Sequence, residues 1–255
     1  MELFGAGALV FVAGVLFGLF GAGGSILLVP ILIYVLDLPV KSALGTSLLI
    51  LMLTGTVATF AHARSRNVSW WIGLRWAALG IVAAYGGGRV AEFIPEGVLV
   101  TMFSVVVVAA SLAMMRPRKL TPAVDPRSIP MAKVVVVGAA LGFFTGVMGV
   151  GGGFLLVPAL VLVCGMDVKI AVGTSLLIIA VNSLGGFLGF AAHESFPWRV
   201  TLTVAAFNAA GSLVGERIGK RLPGHRLRPA FGMFLLLVGM AMVAQNLLHF
   251  ATRAR

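Results

Sequence analysis

The sequence predicts an all-α, polytopic integral membrane protein built from two homologous repeats. Composition comes first: the 255 residues are 60% hydrophobic and 11% charged, with mean hydropathy +1.08. Segment length comes second. Runs at 3–36, 44–61, 98–115 and 134–163 reach the span of about 20 apolar residues that a bilayer crossing needs. The third observation is duplication. GAGGSILLVP at 21–30 returns as GVGGGFLLVP at 149–158, an offset of 128 from Pro30 to Pro158.

The same offset lays Lys41 on Lys169, Gly45-Thr46-Ser47 on Gly173-Thr174-Ser175, Trp70 on Trp198, Arg89 on Arg217 and Pro95 on Pro223. No gap is needed across roughly 90 residues, of which roughly 29 are identical. The chain therefore divides into a first transmembrane repeat at 1–115, a linker at 116–130 and a second repeat at 131–255. The linker, RPRKLTPAVDPRSIP, holds four prolines and five charges and reads as extended chain outside the bilayer. The strand alternation of an outer-membrane barrel is absent.

Eight apolar segments are expected, at 3–36, 42–61, 70–89, 98–115, 134–163, 171–191, 199–218 and 229–249. The first of each half is too long. As one helix, 3–36 would measure about 51 Å against a hydrocarbon core of about 30 Å. Gly21, Gly23 and Gly24 interrupt it, and glycine destabilises a helix interior. The expectation is a helix, a break, and a shorter helix from near Ser25. The second copy should run 134–147, break at 149–153 and resume at Phe154. Each first helix is thus broken or re-entrant.

Charge favours the re-entrant form. Four plain crossings per half would divide the 19 Lys and Arg residues 11 to 8. A hairpin at each break inverts the second repeat and divides them 14 to 5, which satisfies the positive-inside rule better. This places both termini outside and the linker in the cytoplasm. The N-terminus carries Glu2 where a signal peptide carries bases, and its repeat mate is internal, so it reads as mature structure.

The net charge of +11 does not indicate nucleic acid, because the bases lie between apolar segments and no run of five like charges occurs. The one cysteine, Cys164, forms no disulfide within the chain. No P-loop, nucleophile elbow or dinucleotide fingerprint in a βαβ context is present. No enzyme activity, cofactor or metal site is expected. The partners expected are a small anionic substrate and the lipid bilayer, and a homodimer and a coupling proton or ion are compatible with the sequence.

The anion expectation comes from the breaks. A helix that starts after a glycine turn offers free N–H groups and its positive dipole end. Glycines let a ligand reach the backbone. Two such breaks mark a substrate site between repeats, built from Gly21, Gly23, Gly24 and Ser25 with Gly149, Gly151, Gly152 and Gly153. Thr46, Ser47, Thr174 and Ser175 supply candidate hydroxyl donors, and Asn182 and Asn208 are polar residues inside apolar segments. Lys41 and Lys169 read as interfacial anchors, Arg75 as interfacial beside Trp70 and Trp71, and His62 and His193 as surface histidines.

These motifs, GLFGAGGSILLVP at 18–30 with KSALGTS at 41–47, and GVMGVGGGFLLVP at 146–158 with KIAVGTS at 169–175, resemble the sulfite exporter TauE/SafE family. That family is also called the four-toluene-sulfonate uptake permeases. The resemblance implies a secondary-active, multi-pass permease of the bacterial inner membrane. Its substrates would be small sulfur-containing anions such as sulfite, sulfoacetate or other organosulfonates. A passive anion channel and a membrane scaffold or assembly protein are the alternative readings.

Overall fold

The computed structural model describes residues 2–21, 24–115, 131–149, 153–191 and 196–222, with 230, 233, 236, 237 and 240 beyond them. Every regular element among these is helical: α1 (Glu2–Phe20), α2 (Ser25–Pro30), α3 (Val40–Arg64), α4 (Trp70–Ala91), α5 (Glu96–Met115), α6 (Met131–Met148), α7 (Gly153–Val163), α8 (Val168–Phe190) and α9 (Trp198–Arg221). A π-helical turn, Ile31–Val35, continues α2. α3 and α8, a repeat pair, are long and apolar enough to cross a membrane.

The long first segment of each half breaks as the glycines require. α1 stops at Phe20 and α2 starts at Ser25; α6 stops at Met148 and α7 starts at Gly153. Gly21 and Gly149 both adopt positive φ, +72° and +64°, a backbone region that L side chains rarely enter. Beyond the first turn Gly24 lies against Ala13 and Phe17 of α1. The helical run 25–35 is only about 16 Å long at 1.5 Å per residue.

Close approaches fix the helix directions. Along the α1–α9 seam Gly14 faces Asn208 and Gly18 faces Ser212; Gly211 faces Phe11 and Gly215 faces Val15. Numbers rise together, so the two run parallel. α6 lies parallel to α4 in the same way, with Gly142 on Gly80 and Gly146 on Ala84. These two seams are copies of each other at the repeat offset. A methyl on Gly18 or Gly146 would fall onto the carbonyl of Ser212 or Ala84, so small residues set the contact distance.

α3 packs on α8 in the opposite sense, with Gly45 against Phe190, Leu48 against Gly186 and Gly55 against Ala180. The core sits at this crossing, where Leu48, Ile50 and Leu51 of α3 and Leu176, Ile178 and Ile179 of α8 are buried. The outer faces are apolar and uncovered: Phe60, Val82, Phe93 and Val136 are all at least 64% exposed.

Candidate functional site

Each break is seated on the other half of the chain. The Gly21 carbonyl accepts a hydrogen bond from Ser175 Oγ at 3.1 Å, and the same hydroxyl reaches Val172 O at 2.7 Å. In the copy, Ser47 Oγ donates to Gly149 O and to Leu44 O, the latter at 2.8 Å. A hydroxyl has one proton to donate. Each serine therefore shares it between a carbonyl of its own helix and the opposite break's turn. A Cβ at Gly21 would lie 2.8 Å from Ser175 Oγ and from Val172 Cα, and one at Gly149 2.6 Å from Leu44 Cβ. Both turns need glycine for their φ and for their space.

The two threonines beside these serines differ. Thr174 Oγ1 accepts from the Ser69 backbone N–H at 2.9 Å. The symmetric donor to Thr46 would be the N–H of residue 197, and that residue is Pro197. Thr46 Oγ1 is buried and without a partner.

Of the remaining site residues expected from the sequence, Gly24 and Ser25 are buried at the start of α2, and no side chain caps that helix through Gly24. Gly153 opens α7. α2 and α7 touch, so the two helices that follow the breaks meet. Gly23, Gly151 and Gly152 lie outside the described residues.

The asparagines lie elsewhere. Asn208 sits on the α1–α9 seam and donates to Val10 O at 3.3 Å, leaving Oδ1 without a partner. Asn182 faces Gly80 across the α4–α8 seam, and neither of its amide atoms has a partner. Asn182 stands seven residues past Ser175, about 10 Å along the axis.

The lysines finish helices. Lys41 Nζ donates to Glu92 O at 2.7 Å and Lys169 Nζ to Lys220 O at 3.3 Å, the same contact in both halves. A cation at a helix C-terminus is favourable with the dipole. The Arg75 guanidinium lies over the Trp71 ring, 3.6 Å from its centroid.

Sequence reasoning missed two residues and misplaced one. Ser69 and Pro197, which make the threonines unequal, were readable from the 128-residue offset alone. His62 was expected at the surface and is buried, 6% exposed, because α8 and α9 close over the end of α3. His193 lies outside the described residues. Among the described residues no three His, Cys, Asp or Glu side chains gather as a metal site.

Helices α2 and α7 thus start just beyond the glycine turns, and on α3 the Thr46 hydroxyl is unpaired. The family model described as sulfite exporter TauE/SafE matches residues 6–242. The chain belongs to that family. Among relatives of the TauE/SafE chain, a probable membrane transporter protein of Xylella fastidiosa is 30% identical over 249 residues, covering 94% of this chain and 93% of its own. One from Methanocaldococcus jannaschii is 28% identical, covering 91% and 92%. YdhB of Bacillus subtilis, also named a probable membrane transporter protein, is 24% identical over 92% and 97%. No solved structure matches this TauE/SafE chain. It is a membrane transporter.

Proposed function

We propose that this chain is a secondary-active carrier of small sulfur-containing anions, such as sulfite, sulfoacetate or other organosulfonates. It spans the bacterial inner membrane several times as two inverted repeats. The observation that carries the reading is the pair of positive-φ glycine turns, Gly21 and Gly149, each braced by a serine of the other half. In this reading the turns aim two helix starts at a common site, and the contact between α2 and α7 supports it. Oriented amides hold an oxyanion without a fixed cation, which is costly inside a bilayer and slow to release a divalent anion. Thr46 adds a neutral hydroxyl that no protein group claims. Ser47 and Ser175 serve the site by holding the turns.

The inverted arrangement is supported by direction and by charge. α3 and its repeat mate α8 run opposite ways, whereas α1 runs with α9 and α6 with α4. The inverted reading also divides the bases 14 to 5. Labelling of single cysteines placed at Arg255 and within 116–130 should find them on opposite faces; the same face refutes inversion.

Substrate binding is tested by calorimetry of sulfite, thiosulfate, sulfoacetate, taurine and sulfate on the purified chain. Binding of sulfite or a sulfonate is expected, and it should survive in Lys41→Gln, Lys169→Gln and Arg75→Gln. Binding of none of the five overturns the substrate assignment. Loss in a charge variant, with normal binding in Ser47→Ala and Ser175→Ala, overturns the neutral-donor site.

A further inference from the structure

One end of the bundle gathers a histidine, a buried glutamate and two lysines around one recess. His62, near the end of α3, has Nε2 3.1 Å from the carbonyl oxygen of Gly18 on α1. A carbonyl only accepts, so Nε2 holds the proton in this contact and Nδ1 holds the lone pair. Nδ1 is buried and without a partner. His62 lines a small open recess together with Glu216, Lys220, Lys169, Asn67 and Leu19. Glu216 is 3% exposed; its Oε1 accepts from Ser65 Oγ at 2.9 Å and pairs with Lys220 Nζ at 2.7 Å.

The recess has no copy. At the repeat offset His62 becomes Phe190, Glu216 becomes Gly88 and Lys220 becomes Glu92. The seams, the breaks and the serine braces are duplicated, and this cluster is not.

We propose that His62 is a proton-binding site linked to the first break, with Glu216 as its counter-charge. A proton from the recess binds Nδ1, no other covalent bond changes, and the ring becomes an imidazolium. Its bond to Gly18 O then becomes charge-assisted, and its cation sits at the C-terminal end of α1. Gly18 lies three residues before Gly21, so the proton tightens the anchor of the turn that holds the anion. The charged groups facing His62 among the described residues are Glu216 and Lys220 from α9 and Lys169 from α8; α1 brings none. The glutamate favours the imidazolium and the two lysines oppose it. The proton site stands on geometry alone, and its link to transport rests on the carrier reading above.

Histidine-¹⁵N NMR of the full chain, with His62→Gln to assign the signal, tests the site directly. His62 is expected to show the Nε2–H tautomer at alkaline pH and to convert to imidazolium on acid titration. Glu216→Gln should move that conversion to lower pH. A His62 signal that stays in one form across the range overturns the proposal. In proteoliposomes, acid on the recess side should stimulate anion uptake by the parent chain. His62→Gln should lose this stimulation and keep anion exchange at equal pH. Undiminished acid stimulation in His62→Gln also overturns the proposal. A parent chain that takes up none of the five anions counts against the carrier reading, and the NMR titration then decides the proton site by itself.

Discussion

The two breaks are held by one device and finished by different chemistry. Gly21 and Gly149 share their backbone conformation, and each gives its carbonyl to a serine 128 residues from the other's. One turn away the copies part. Thr174 is satisfied by the Ser69 N–H, whereas Pro197 stands at the matching position of the other copy and Thr46 is unpaired. The seam amides also differ: Asn182 faces Gly80, and at the repeat offset these two positions are Thr54 and Asn208. Duplication preserves the turn glycines and the seam glycines of α1 and α6, Gly14 with Gly142 and Gly18 with Gly146. It releases side chains that only the ligand or one face of the membrane uses.

The comparison breaks most sharply at the glycines. Gly21→Val and Gly149→Val each force a branched residue into the left-handed region, at a cost of about 1–3 kcal/mol, and drive atoms into the opposite half. Each should cut anion affinity by more than about a hundredfold in a protein that still inserts and stays monodisperse. If one variant binds normally, the two breaks are not equivalent parts of one site.

The serines come next. Ser47→Ala and Ser175→Ala each free a turn carbonyl, and each should weaken binding about tenfold, near 1.4 kcal/mol. Equal losses support a shared bracing role; a loss confined to one serine assigns the anion to that side.

The threonines give the smallest and most diagnostic effect. Thr174→Val strands the Ser69 N–H and should lower stability by about 1–3 kcal/mol with little change in affinity. Thr46→Val strands nothing in the protein, so its melting temperature should hold while affinity falls a few-fold. The reverse pattern in thermal denaturation and calorimetry would move the open hydroxyl role to Thr174.

Much of this scaffold was legible in the sequence. The duplication, the breaks at Gly21 and Gly149 and the helix from Ser25 follow from composition, segment length and glycine spacing. The seating of each break on the other half did not, because Ser175 and Gly21 meet only through the parallel α1–α9 and opposed α3–α8 packing. His62 shows the same limit. A histidine at the end of an apolar segment reads as wet until the helices that cover it, α8 and α9, are placed. Asn208 and Asn182 read as site residues from their polarity, and the structure puts both on helix seams, Asn182 about two turns past Ser175.

The crossed bracing also sets an order of events during synthesis. Ser175 is 154 residues downstream of Gly21. At about 5–20 residues per second, a ribosome makes the first turn roughly 8–30 s before its brace exists. The early half must wait in the bilayer with an unclaimed carbonyl, whereas Gly149 emerges when Ser47 is already in place. A nascent chain halted within 116–130 would therefore hold every residue of its own turn and still lack the hydroxyl that closes it.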